Sequence, residues 1–598
     1  MRTLDALKTI FRKKEKNRRQ TLMTRWSEEA DDRNTIPCAD YPRPAMMRDE
    51  WTCLNGVWDY AFTARKEFWP GAEGEIIVPF SPETARSGVG KTLLPGEALW
   101  YRREISVEMI VPLKRLILHF GAVDERCTFW VNGRCMGRHR GGYLPFSFDL
   151  TDVIRVGKNE LLLRVLDDTD EGEACRGKQK LSPGGMFYTP QSGIWQTVWT
   201  EWVPEHFIEK LQITPYPDLN GGGGEIEIRI FAGNGAGEEG EIRIEYDEAS
   251  VLCCFSKDDF DAQGCMARRI RLDQVSLWSP ENPFLYQMKI QMGEDEVRSY
   301  FAMRSFGLGK DESGRPCLTL NGEPYFFHGV LDQGYWPESL MTPPSDDAMV
   351  FDIVNMKKLG FNMLRKHVKI EPLRWYYHCD RLGMIVWQDM VNGGGPINAP
   401  LCTYLPTMIP AIGKMPADNH YHLLSRSDKK ERALFREQLL EMVDLLHSEP
   451  CIGMWVIFNE GWGQFDARKL YNEVKNADPS RPVDHASGWF DQGEGDICSI
   501  HNYFRELEAG DDGSGRPYVI SEYGGIVCKI PEHGFTENTY GYAKETQETF
   551  PERFKALMEE ISLLGKEGLA GAVYTQVSDI EEEENGLLTF DRKVVKIV

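Results

Sequence analysis

The chain has 598 residues, 41% hydrophobic and 27% charged, with a formal net charge of −23. That length supplies about four ordinary domains, or fewer if one is a large barrel. Sixteen Trp, 29 Phe and no short repeat exclude a disordered or fibrous chain; no run approaches the roughly 20 apolar residues of a membrane span, and so acidic a body repels phosphate backbones, so neither membrane nor nucleic acid is an expected partner.

Residues 1–26 are basic, with nine Lys/Arg against Asp5 and Glu15, and read as a solvated tail. They lack the apolar core of a secretory signal. The 14 Cys are scattered without a CxxC pair, which reads as reduced thiols in a cytoplasm rather than a disulfide framework. His420 and His422 flank Tyr421 without a zinc-like spacing around them, so no metal site is expected.

In residues 27–205 short apolar runs (EIIVPF, WYRREISVEM, RLILHFGAV, CTFWVNG, NELLLRVL, IWQTVWTEWV) alternate with Gly, Pro, Asn and Asp turns, the spacing of a β-sandwich. Asn132-Gly133 is a two-residue hairpin signal. Trp100 and Trp130 lie inside strand runs and read as core. Residues 206–307 (LQITPY, EIEIRIF, EIRIEY, FLYQMKIQM, VRSYFAM) predict a second, immunoglobulin-like sandwich.

From 308 to 598 the period changes. Eight strand-like runs fall at 325–330, 362–366, 384–390, 452–459, 483–487, 497–503, 518–523 and 571–578. Helical patterns lie between several of them: one opens with Ser345 as cap and ends at Gly360, one ends at Gly383, and two cover 428–447 and 466–476. Eight βα units predict a TIM barrel, with a doubly wound sheet as the alternative. The segment 391–427 reads as a long loop, forming a wall of the mouth or an oligomer contact.

A barrel of this kind carries its site at the C-terminal strand ends. The fourth run ends in Asn459-Glu460 and the seventh in Ser521-Glu522, so two carboxylates face one mouth. Such a pair suits glycoside hydrolysis: one acid protonates the leaving oxygen while an ionised partner attacks the anomeric carbon. Ionising one disfavours ionising the other, so the pair supplies both states. The other ends offer Arg365, His367, Trp387, Asp389, His501, Tyr503 and Gln576, and the loop after the first run offers Asp332 and Trp336. Polar groups beside indoles suit a sugar pocket. Arg365 and Tyr503 are placed to hold Glu522 ionised.

The ordered motifs LNGVWDY, WYRREI, FGAVDERCTFWVNG, GGYLPFSFDLTD, SGIWQTVWTE, LWSPENPFLY, GFNMLRKH, GMIVWQDM, WVIFNEGWG and ISEYGG run from about residue 45 to the C-terminus. Together they resemble glycoside hydrolase family 2, the family of β-galactosidases, β-glucuronidases and β-mannosidases. The resemblance implies a jelly-roll sugar-binding domain, an immunoglobulin-like domain and a catalytic barrel. It implies a retaining exo-β-glycosidase without a cofactor, with Glu460 as acid/base and Glu522 as nucleophile. Asn459 would bind the 2-hydroxyl of the sugar, and Arg365, His501 and Tyr503 would border the pocket. Homo-oligomers are common in the family, which leaves that state open here.

One departure bears on substrate. The β-glucuronidase branch grips the uronate with an Asn-x-Lys motif, and here Asn585 stands in place of the lysine, after Glu581 to Glu584. Those acids would repel a uronate unless Arg592 or Lys593 turned inward, or else form a solvated loop. The expected glycone is therefore neutral, galactose first. The alternatives are a β-glucuronidase or β-galacturonidase, or a catalytically inactive carbohydrate-binding protein on the same scaffold.

Overall fold

The computed structural model describes residues 21–28, 35–246, 249–409, 417–541 and 543–597. Most of the basic opening segment, and residues 410–416 of the long loop, lie outside them. No helix among the described residues is long and apolar enough to cross a membrane.

The first unit is an antiparallel sandwich. A six-stranded sheet (Gly74–Val78, Gly56–Ala64, Glu97–Val107, Gly157–Leu166, Arg126–Val131, Arg134–Arg140) packs on a four-stranded one (Trp51–Cys53, Val198–Pro204, Lys114–Phe120, Phe146–Asp149). Tyr101, Phe129 and Leu163 of the first sheet share one core with Leu118 and Phe120 of the second. The expected hairpin forms, with Asn132 and Gly133 at φ 51° and 81°, the left-handed values that a two-residue turn between twisted strands requires. Trp100 is fully buried and stacks on Trp130 at 5.6 Å, as core.

The second sandwich joins Ile208–Pro217, Gly224–Ala232 and Cys265–Leu272 in one sheet. Its other sheet holds Ala249–Phe255, Gly240–Tyr246, Tyr286–Met292 and Asp295–Phe301. The strand Gly224–Ala232 shows the cause: Ile226, Ile228 and Ile230 point inward while Glu225, Glu227 and Arg229 alternate outward. This unit rests on the barrel through Lys210, 2.9 Å from Asp444, and through the Trp278 indole on the Asp380 carbonyl.

The third unit is the barrel. Its strands are β1 (Phe327–Asp332), β2 (Met363–Lys366), β3 (Ile385–Asp389), β4 (Ile452–Val456), β5 (Val483–Asp484), β6 (Cys498–Asn502), β7 (Tyr518–Gly524) and β8 (Gly571–Thr575). All eight are the predicted runs, in order. The hydrogen-bonded order is β5-β4-β3-β2-β1-β8-β7-β6, all pairs parallel. The β5–β6 seam lacks ladder bonds, and a hydroxyl pair spans it: Ser499 Oγ of β6 lies 3.3 Å from Ser487 Oγ, just past β5.

Helices α1 (Asp346–Lys358), α2 (Leu373–Leu382), α3 (Lys429–Leu446), α4 (Ala467–Ala477) and α5 (Phe550–Glu567) cover the outside. Ser345 caps α1 by accepting from the Ala348 N–H, and two acids then two lysines suit its dipole ends. Gly383 ends α2 at φ 71°, where a Cβ would meet the Pro280 carbonyl at 2.7 Å.

Candidate active site

Glu460 follows β4 and holds a left-handed backbone, φ 54°, with its N–H bonded to the Ser487 carbonyl. A non-glycine residue in that region carries strain of order 1 kcal/mol, held here by the surrounding fold. The next residue has to be small, because a Cβ on Gly461 would meet the Phe490 ring at 2.1 Å. The Glu460 side chain keeps 18% exposure, and that of Glu522, within β7, only 6%.

Arg365, at the end of β2, is fully buried and gives all five N–H donors to acceptors. Nε and Nη2 hold both Asp389 oxygens at 3.0 and 3.1 Å. Nη1 reaches Glu522 Oε1 and the Ser521 carbonyl, each at 3.1 Å, and Nη2 reaches Asn459 Oδ1 at 2.8 Å. Tyr503 donates to the second Glu522 oxygen. Burial alone would raise the Glu522 carboxyl, but His501, Arg365 and the Tyr503 hydroxyl outweigh it and bring it down to about 2.

His501 stands between the two acids. Its Nδ1 lies 2.9 Å from Glu460 Oε1, and its Nε2 lies 3.2 Å from Ser487 Oγ and 3.5 Å from Glu522 Oε1. One atom each of Glu460, His501 and Glu522 lie within 4.8 Å of one another. These three could also hold a metal ion; Asp491, Cys498 and Asp512 form the second such group among the described residues. His420 and His422 are exposed and belong to neither.

His367 donates from Nδ1 to Asp389 at 2.8 Å. Burial first, and the nearby Lys178 ammonium second, hold its imidazole well below its usual range, so the ring is neutral. Asp332 lies at the β1 exit in a separate cluster: it takes Lys366 at 2.7 Å, and Lys366 and Lys369 share Glu371 at 2.8 Å each. Gln576 bonds Gln333 on one side and Asn585 on the other.

Two expected pocket residues lie elsewhere. The Trp387 ring packs on Phe327, and a Cβ on Gly571 would meet it at 3.2 Å. Those are the first residues of β1 and β8, so the indole fills the bottom of the barrel as core. Trp336 turns outward, edge-on to Trp26 at 6.1 Å and under the Arg592 guanidinium at 4.1 Å. The loop bends that way because Glu338 binds Thr24 and Ser27 of the N-terminal segment.

The acid run after β8 is no solvated loop: Glu581, Glu583 and Glu584 are buried. Glu581 accepts from the Thr189 N–H, Glu582 from the Gly185 N–H and Glu583 from the Tyr188 hydroxyl. The acids thus dock an N-terminal-domain segment on the mouth. Farther along this segment, the Asn392 carbonyl takes the N–H groups of Arg176 and Gly177 at 3.0 and 2.8 Å. Arg592 is committed to Asp352.

The sequence gives no sign of this wall of the mouth. That wall brings Lys178, Tyr188 and Phe187 to the barrel, and the Phe187 ring meets Trp462 at 5.8 Å. The 391–427 segment adds to it through Cys402, whose carbonyl holds the Trp489 indole beside His501. No local pattern in 173–189 signals a pocket; the signal is the distant acid run it pairs with.

Residues 315–595 match the model for the TIM barrel domain of glycosyl hydrolases family 2. Residues 91–198 match its sugar binding domain and 206–304 a third model of the family. The chain is similar to a β-galactosidase of Thermoanaerobacter pseudethanolicus, 24% identical over 434 residues, covering 71% of this chain and 54% of that protein. A β-galactosidase of Vibrio vulnificus is 27% identical over 427 residues, 69% of this chain and 37% of that one. The matches thus span about half or less of these relatives. The fold is shared with the β-D-glucuronidase of Dictyoglomus thermophilum, TM-score 0.71 at 16% identity over 93% of this chain and 97% of the other. A β-galacturonidase from Eisenbergiella tayi gives 0.66 at 19% over 92% and 96%.

Proposed function

The chain belongs to glycoside hydrolase family 2, and on that footing we propose that it is a retaining exo-β-glycosidase releasing terminal β-linked sugars by double displacement. The observation that carries this reading is the spacing of the acids: an oxygen of Glu460 and an oxygen of Glu522 within 4.8 Å. Retaining chemistry needs carboxyl groups about 5–5.5 Å apart, and inverting chemistry about 6.5–9.5 Å, with a water between.

Ionised Glu522 attacks the anomeric carbon as the bond to the aglycone oxygen breaks and Glu460 gives that oxygen its proton. A water then attacks the same carbon, the ester to Glu522 breaks, and Glu460 takes the water's proton. The division of labour follows the environments. Glu522 is the deeper acid, fixed by Arg365 and Tyr503. Glu460 is the more exposed and meets leaving group and water. Asn459 has its amide oxygen on Arg365, which leaves its NH₂ to donate to a sugar hydroxyl. The N-terminal segment narrowing the mouth supports exo action.

The expectation of galactose rested on four acids repelling a uronate. Three of them bond the docked segment, and Glu584 lies 3.3 Å from Lys529. That ground falls away: the names of the curated relatives support galactose, Lys178 supports a uronide, and the panel below separates the two.

The test is a panel of p-nitrophenyl β-glycosides (galactoside, glucuronide, galacturonide, glucoside, mannoside) with Glu460→Gln and Glu522→Gln as controls. Turnover of at least one member, reduced by about 10³-fold or more in Glu522→Gln, is expected. Turnover of none would replace the reading with the inactive binding scaffold.

A further inference from the structure

We propose that Lys178, carried by the N-terminal domain, is a specificity-determining residue of the barrel pocket, its ammonium taking a carboxylate on the bound glycone. This rests on the exo-glycosidase reading and names its substrate class, a β-linked uronic acid.

The placement of Lys178 is fixed on both sides. Before it, the Gly177 N–H bonds the Asn392 carbonyl at the β3 exit, and a Cβ on Gly177 would meet the Val368 carbonyl, past the β2 exit, at 3.1 Å. Gly177 itself has φ 62°. The Lys178 carbonyl then accepts from the Tyr188 N–H at 2.9 Å. The side chain runs over Tyr188, with Nζ 5.8 Å from the ring centroid. The hydroxyl of that ring accepts from Gln333, which also donates to Gln576, just after β8. The ammonium therefore lies over Tyr188, close enough to His367 to disfavour a charge on that imidazole.

It has no acid of its own among the described residues. Arg365, Lys366, Lys369 and Lys596 each hold a carboxylate. Three buried acids of the site already have partners: Asp389 in Arg365 and His367, Glu522 in Arg365 and Tyr503, Glu583 in Tyr188. A half-buried ammonium without a counter-charge is matched by a ligand that brings one, and a charge-assisted bond there is stronger than a hydroxyl contact. Asn585 in the β8 loop gives its oxygen to Gln576 and supplies no charge. The cation absent from that loop arrives from the facing domain.

The experiment measures kcat/KM of wild type, Lys178→Met and Lys178→Arg on p-nitrophenyl β-D-glucuronide, β-D-galacturonide and β-D-galactoside, with melting curves to establish folding. Wild type should prefer a uronide. Lys178→Met should lower the uronide-to-galactoside ratio by about 10²-fold, mostly through KM, and Lys178→Arg should regain part of it. An unchanged ratio in Lys178→Met, or a wild type that cleaves only the galactoside, overturns the proposal and leaves the exo-glycosidase reading standing. A wild type that cleaves nothing overturns both. If Lys178→Met fails to fold, inhibition of wild type by free glucuronate and galacturonate decides: binding tighter than galactose and weakened by salt supports the proposal, and no preference overturns it.

Discussion

Arg365 Nη1 stands 3.1 Å from Glu522 Oε1, with the arginine fully buried and the glutamate side chain 6% exposed. The same guanidinium holds Asp389 and Asn459, so one side chain fixes two carboxylates and the Asn459 amide. Arg365→Met leaves two buried carboxylates without their counter-charge. It should cost about 3–5 kcal/mol of stability, read as a lower Tm, together with loss of turnover. Arg365→Lys should not rescue, because three donors on a flexible stem cannot replace five in a fixed fork. Full activity in the lysine variant would contradict this.

His501 touches Glu460 more closely than Glu522, at 2.9 against 3.5 Å. Its removal should therefore damage proton transfer to the leaving group more than nucleophilic attack. His501→Asn should slow an alkyl β-glycoside by about 10²-fold and a 2,4-dinitrophenyl glycoside, which leaves without a proton, by less than about 10-fold. Equal losses on both would contradict the assignment.

Glu522 is ionised down to about pH 2 because His501 and Arg365 overcome its burial. Its folded value lies below its unfolded one, so its contribution to stability is present above the unfolded value and is lost as pH falls through the folded one. With a 2,4-dinitrophenyl glycoside, kcat/KM should show no acid limb near pH 4–5 that belongs to the nucleophile. Tyr503→Phe removes a donor to the ionised form and should raise the pH at which activity falls. An unmoved profile would contradict the role of that hydroxyl.

Glu584 is shifted the other way. Burial and then Asp579 push its carboxyl up to about 8, against Lys529 and Lys596. The unfolded state therefore releases this proton first, and stability is lost as pH rises from the unfolded value towards 8, by up to about 1.4 kcal/mol per pH unit. Glu584→Gln should flatten the decline of Tm between pH 6 and 9. An identical slope in the variant would show that other groups set it.

The barrel was legible because each strand is a short apolar run, and because Ser345, Gly360 and Gly383 mark helix ends by their own chemistry. Glu460 and Glu522 were legible because a parallel barrel puts strand ends at one mouth. Trp336 and Trp387 were misplaced because the direction of a side chain near a strand end depends on what it packs against: Trp26 for the first, Phe327 for the second. Lys178 and Tyr188 were invisible for the same reason on a longer scale. They reach the mouth through pairing of 185–189 with 581–583, residues almost 400 positions apart, and of 176–177 with Asn392. The acid run looked like solvated charge because sequence shows its composition and not its partners.

The most direct test of the account is to trap the intermediate. The enzyme is incubated with 2,4-dinitrophenyl 2-deoxy-2-fluoro-β-glycosides of galactose and glucuronic acid, digested, and the labelled peptide sequenced by mass spectrometry. Double displacement through Glu522 should give time-dependent inactivation and a single glycosyl ester on Glu522. An ester on Glu460, or inactivation without any covalent sugar, would contradict it.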